Sequence, residues 1–217
     1  MTLSIKDPGS ALTHFIGMIL AGLAATPLLV LAAKDGGRYA VPALAIFAAS
    51  MILLYGASTT YHTFNISEKV NKVLRKIDHM MIFILIAGSY TPICVIPLRD
   101  TVGIPLLILV WAVAIAGMLI KAFWITCPKW FSSTIYIAMG WLCVLAMVPL
   151  VQTLPTAAFI WLVAGGVNYT IGGVIYALKL PLFNAKHQYF GSHEIFHVFV
   201  MAGSLCHYVT MFYIAKM

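Results

Sequence analysis

Charge is what this chain has least of. Asp, Glu, Lys and Arg make up 9% of its 217 residues, against about a quarter in a soluble globular domain. Only six residues are acidic, and none follows Glu194. Such scarcity excludes a soluble globular protein. Cysteine is also sparse: Cys94, Cys127, Cys143 and Cys206 stand singly, with no C-x-x-C spacing, which argues against cysteine-held zinc or a redox pair. They read as small apolar fillers. No internal repeat or low-complexity segment is present. The first apolar block is too long for a signal-peptide core, and no small-residue cleavage pattern follows it, so it counts as a span.

What is there is apolar. The 62% hydrophobic content and mean hydropathy of +0.99 come from long blocks nearly free of charge. Each can cross a hydrocarbon core of roughly 30 Å, which takes about 20 helical residues. Turn chemistry separates seven of them, at about 12–33, 41–61, 77–97, 103–123, 131–152, 156–178 and 193–214. The fold expected is an all-α integral membrane bundle of seven transmembrane helices, with 1–217 as a single domain and short connections. The break at Pro155 decides between seven spans and six.

The net charge of +7 would suggest nucleic acid in a soluble protein. Here its placement sets orientation, because short cytoplasmic loops carry the Lys/Arg excess. With the N-terminus inside, nine of the thirteen Lys and Arg residues lie on the cytoplasmic side and four outside. The C-terminus is therefore expected outside. In the sixth span, Gly165-Gly166 and Gly172-Gly173 predict close packing on a neighbour. Pro92 predicts a kink or an end in the third.

Chemistry concentrates at Gly191-Ser192-His193-Glu194-Ile195-Phe196-His197. Two imidazoles four residues apart share a helix face, and H-E-x-x-H is a signature of zinc hydrolases. Orientation then makes a test possible. Ser58 and His62 end the second span on the cytoplasmic side, Asp78 and His79 begin the third, and His14 lies early in the first. Five of the seven histidines and Asp78 thus share one membrane level.

A catalytic zinc takes three protein ligands and leaves a fourth position open. His193 and His197 supply two. With no acid downstream of Glu194, the third comes from another helix, and His62 is the choice, with Asp78 as an alternative third or fourth ligand. The preferred role of Asp78 is to orient or deprotonate the attacking water. Ser58 is placed to donate a hydrogen bond to that water or to a substrate carbonyl.

Plainer readings stand beside these. His14, His79, His187 and His207 read as amphipathic side chains facing headgroups. Asp78 also fits a helix N-cap. Glu194 points about 100° from the His193–His197 face and fits a first-turn acid as well as a general base. The run from Lys69 to Lys76 reads as a solvated loop against anionic headgroups.

These residues together resemble the hemolysin III family, within the superfamily of progestin and adipoQ receptors. The resemblance rests on Ser58-x-x-x-His62, Ile77-Asp78-His79, Gly88-Ser89-Tyr90-Thr91-Pro92 and His193-x-x-x-His197. Ala11-Leu12-Thr13-His14 and Phe196-His197-Val198-Phe199-Val200 extend it over nearly the whole chain. It implies seven spans with a cytoplasmic N-terminus, and a zinc ion on His62, His193 and His197 with Asp78 and Ser58 around its water. The family's Glu-x-x-Asn-x-x-x-His is here Asp7-x-x-Ser10-x-x-x-His14, a departure in what reads as a brace beside the site. Relatives among the receptors bind hydrophobic hormones or adiponectin and show ceramidase-like activity. Bacterial members are named for haemolysis and tied to membrane-fluidity homeostasis.

The function expected is therefore a multi-pass cell-membrane protein that holds Zn2+, takes a membrane lipid or fatty-acyl ligand, and hydrolyses a lipid amide. A non-enzymatic membrane sensor with structural zinc is the alternative. The missing downstream acidic ligand counts against an intramembrane metalloprotease. No span has a polar stripe along its full length, which counts against a haemolytic pore.

Overall fold

The computed structural model describes residues 5–178 and 189–217. The sequence readings of Lys179, Lys186 and His187 fall outside the described residues. Among those described, the chain is helical throughout, with seven helices long and apolar enough to cross a membrane. They are α1 (Pro8–Asp35), α2 (Ala40–Thr63), α3 (Glu68–Val95), α4 (Ile104–Phe123), α5 (Lys129–Thr153), α6 (Thr156–Leu178) and α7 (Ser192–Ile214). A wide turn, Arg99–Gly103, leads into α4. The break at Pro155 is real, since α5 ends at Thr153 and α6 begins at Thr156.

Helices adjacent in the chain pack on one another from α1 to α4 and from α5 to α7; α7 packs on α1 to join the two runs, and α4 meets α5 to close the ring. The N-terminal segment joins the end of α2, with Asp7 N–H donating to the His62 carbonyl at 2.9 Å. At the far end, a Cβ on Gly37 would stand 3.5 Å from the Met217 carbonyl. The two chain ends thus lie at opposite ends of the bundle. Leu23, Ile108, Leu145 and Val148 point outward and exposed, as a lipid-facing surface requires.

Lipid supplies no hydrophobic drive for helices to associate, so small residues and buried hydrogen bonds must. Two of the four glycines singled out on α6 do this against α7. A Cβ on Gly172 would stand 2.9 Å from Phe199 Cβ, and one on Gly165 would enter the His207 ring. Gly166 and Gly173 face α5 instead.

Three sequence expectations need correction. The run from Lys69 to Lys76 is not a loop: α3 begins at Glu68, capped by Ser67, whose Oγ accepts the Val70 N–H at 3.3 Å. Val70, Val73, Leu74 and Ile77 recur at helical spacing among the basic residues, which makes these turns amphipathic. Asp78 consequently lies well inside α3 and caps nothing. Cys127 is also more than a filler. The buried Lys121 at the end of α4 donates to Cys127 Sγ at 3.2 Å and to Ser132 Oγ, tying the α4–α5 turn. Pro92 does not end α3 outright; the helix runs three residues further, to Val95.

The break that matters for the site is in α5. A stretch of 3₁₀ geometry, Trp141–Ala146, interrupts it. Tyr90 of α3 fills the gap, its hydroxyl donating to the Gly140 carbonyl at 2.6 Å and accepting the Cys143 N–H at 2.8 Å. A side chain inserted into the backbone ladder is a recognised cause of a helix break. Tyr90→Phe leaves both backbone groups short of a partner in an apolar setting, at a cost of about 1–3 kcal/mol. A lowered thermal midpoint in detergent, at unchanged helix content by circular dichroism, is the expected result.

Candidate metal centre

The start of α7 is held by Glu194. One of its carboxylate oxygens accepts the Gly191 N–H at 2.8 Å, and the other accepts the hydroxyl of Ser10 on α1. Glu194 is thereby committed to the helix end and the α1 contact, as the first-turn reading expects. Its engagement fixes the rotation of the first turn, from which His193 and His197 project on another face.

His62, at the last turn of α2, meets them. One ligand nitrogen from each of His62, His193 and His197 lies within 4.8 Å of the others, and this group could hold a metal ion. The Nε2 atoms of His62 and His193 are 3.2 Å apart. Two nitrogens bound to one tetrahedral zinc at about 2.0–2.1 Å stand about 3.4 Å from each other. The spacing therefore fits.

The outer nitrogens support the same reading. His62 Nδ1 donates to Asp7 Oδ2 at 2.9 Å, leaving Nε2 with its lone pair on the inner side. His197 Nδ1 stands 3.1 Å from the hydroxyl of Thr13, which donates to the Ser10 carbonyl at 3.0 Å and so accepts from the ring. Partners of this kind fix tautomer and ring orientation in metal sites. Asp7, Ser10, Thr13 and His14 all touch the cluster or its support, so the divergent N-terminal motif is indeed a brace. Its short acid reaches His62 through the backbone pairing of Asp7 with the end of α2. The direct assignment of Asp7 to His62 and Thr13 to His197 escaped the sequence reading; a polar residue at each of positions 7, 10, 13 and 14, before and inside the first turns of α1, was the available signal.

Asp78 and Ser58 are both buried and line the cavity beside the histidines. Asp78 is outside the converging group; its Oδ2 lies 3.3 Å from His79 Nδ1. The three imidazoles thus form the candidate ligand set without it. Nor do His14, His79 and His207 face headgroups as single amphipathic side chains would. His14 is buried and stacked on His197, His79 meets the Arg75 carbonyl and the Tyr176 hydroxyl, and His207 is wedged against Gly165. Of the three, His79 finds hydrogen-bond partners inside the bundle, whereas the ring nitrogens of His14 and His207 are buried without one.

A cavity of about 150 Å³ runs inward from beside the histidines. His14, Ser58, Asp78, His193 and His197 line its polar end, and Ile86, Tyr90, Ile93, Leu98 and Leu106 carry it across the bundle. From Asp78 to Ile93 alone it follows fifteen residues of α3, about 22 Å of helix. The gap in α5 contributes Gly140, Trp141 and Cys143 to its wall.

Fold and site together define a class: a seven-helix membrane protein with a buried three-histidine cluster at the end of an apolar cavity. Residues 4–208 match the family model described as haemolysin-III related. The chain is 36% identical over 212 residues to the Hemolysin-3 homolog of Bacillus subtilis (strain 168), covering 97% of this chain and 95% of that protein. It is 37% identical over 216 residues to Hemolysin-3 of Bacillus cereus, covering 99% and 94%. A more distant similarity, 26% over 176 residues, links it to the Adiponectin receptor protein of Drosophila melanogaster, covering 72% of this chain and 39% of that one. The chain belongs to the haemolysin-III family and is a multi-pass cell-membrane protein.

Since Asp7 holds the outer nitrogen of His62, Asp7→Asn is expected to weaken metal binding about 10–100-fold while the protein still folds. Competition against a chelator of known affinity measures it.

Proposed function

We propose that His62, His193 and His197 hold a zinc ion, and that the protein hydrolyses an amide bond in a membrane lipid as part of membrane-lipid homeostasis. The observation that carries this reading is the joining of the histidine cluster to a long apolar cavity inside the bundle. A lipid lying in that cavity brings its polar end to the three imidazoles. The Lys/Arg bias, nine of thirteen on one side, supports a cytoplasmic location for this end.

Zinc, when bound, supplies Lewis acidity and makes water a nucleophile at neutral pH. The chain's own residues do the rest. Asp78, buried at the cavity wall, takes the proton from the attacking water and returns it to the leaving amine. Ser58, one turn inward of His62, donates its hydroxyl hydrogen to the carbonyl oxygen as charge develops there. The apolar wall binds the acyl chain and excludes bulk water from the reacting end. Asp7 and Thr13 keep the two imidazoles they contact in the tautomer that leaves the inner nitrogens free.

A second reading, a non-enzymatic regulator with structural zinc, is supported by the division of the ligands between α2 and α7, which a metal would clamp together. Asp78 separates the two. His197→Ala is expected to lose both metal and fatty-acid release from amide-linked lipids. Asp78→Asn is expected to keep the metal and lose at least about a hundredfold in release. Metal-loaded wild type that releases no fatty acid from such lipids, or Asp78→Asn that releases it at the wild-type rate, turns the assignment to the regulator.

A further inference from the structure

Among the described residues, His14 is the one histidine at this end of the bundle that neither joins the ligand group nor finds a hydrogen-bond partner. It is 4% exposed, and both its ring nitrogens are buried and unpartnered. Leaving such a group bare inside a membrane protein is costly, so the position points to a partner the chain itself does not supply.

The ring geometry says what that partner is not. His14 stacks on His197 with centroids 3.5 Å apart and planes 8° from parallel. Imidazole lone pairs lie in the ring plane, so two parallel rings at that separation confine them to two nearly parallel planes. They do not converge on one ion. His14 is therefore no fourth metal ligand, in agreement with its absence from the converging group.

Its depth says where the partner sits. The His14 and Tyr55 rings meet in a T-shaped contact at a centroid distance of 5.1 Å, and Tyr55 lies seven residues inward of His62 on α2, about 10 Å along the helix. Along α1, His14 is likewise seven residues inward of Asp7, the partner of His62. It lines the cavity directly beside His197 of the three-histidine cluster. A lipid whose carbonyl rests at that cluster, with its tail down the cavity, lays its first acyl carbons against His14.

We propose that His14 is a specificity-determining residue that hydrogen-bonds a hydroxyl on the α or β carbon of the acyl chain, so that the preferred ligand is an amide of a hydroxy fatty acid. This rests on the reading of the cavity as a lipid site with the carbonyl at the histidine cluster. A neutral imidazole offers one donor and one acceptor, which matches a hydroxyl and nothing on a plain alkyl chain. An unsubstituted chain leaves the ring bare and binds more weakly.

The test uses the full-length, zinc-loaded protein in detergent. Binding is read by thermal stabilisation, with three probes: palmitoyl ethanolamide and its α- and β-hydroxypalmitoyl counterparts. Wild type is expected to bind one of the hydroxylated probes about tenfold tighter than the plain one. His14→Phe preserves a ring to stack on His197 and removes the nitrogens. It is expected to keep the wild-type metal content and bind all three alike, while His14→Gln recovers part of the preference. Wild type with no preference, a preference that survives in His14→Phe, or loss of metal from both variants would each overturn the proposal. Fatty-acid release is measured separately. A protein that prefers the hydroxylated probe without cleaving it sinks the hydrolase reading and leaves this one standing.

Discussion

An imidazole buried in a membrane protein has two nitrogens to account for, and that constraint organises this end of the bundle. On His62 the outer nitrogen is taken by Asp7 and the inner one faces His193. On His197 the outer nitrogen is met by Thr13. Since Asp7 is also paired through its backbone to the end of α2, α1 cannot slide on α2 without disturbing the ring that α2 presents. The Ser10–Glu194 contact does the same between α1 and α7. The first turns of α1 are thus the frame in which two ligands from one helix and one from another are held at a common point.

The opposite need, for space, is met by a fault in a helix. An unbroken α5 would offer α3 a continuous wall of side chains. Instead its ladder opens between Gly140 and Cys143, and the Tyr90 hydroxyl satisfies both exposed backbone groups. The result is a cavity whose wall includes an irregular segment, with the Gly140 carbonyl and the Cys143 N–H both paired at the break. Irregular backbone at membrane depth is tolerated where it is buried in protein or lines a cavity, and here it does both. The Gly-Ser-Tyr-Thr-Pro stretch, whose Pro92 predicts a kink or an end, also carries in Tyr90 the side chain that makes this possible.

Much of this was legible in residue order. Seven spans followed from block length and turn residues, and Pro155 divided α5 from α6 as expected. His62, His193 and His197 followed from spacing and a shared membrane level. The misreadings have a common cause. In Lys69 to Lys76 the density of charge suggests a loop in water, whereas an amphipathic helix can carry that charge on one face, as the start of α3 does. His14 suggests a headgroup-facing residue in the sequence, because a single histidine carries no sign of the His197 ring that lies across from it.

Composition and periodicity by themselves determined that this chain crosses a membrane seven times and that three imidazoles have one depth in common. Those properties are local: hydropathy accumulates along a segment, and depth follows from position within it. Only the packed bundle decided which nitrogen of each ring points inward, that Asp7 and Thr13 hold the outer ones, that Asp78 stands off the ligand set, and that His14 lies against His197 with no partner. Those are relations across helices far apart in the chain, set by rotation and approach, and such relations exist only once the helices are packed.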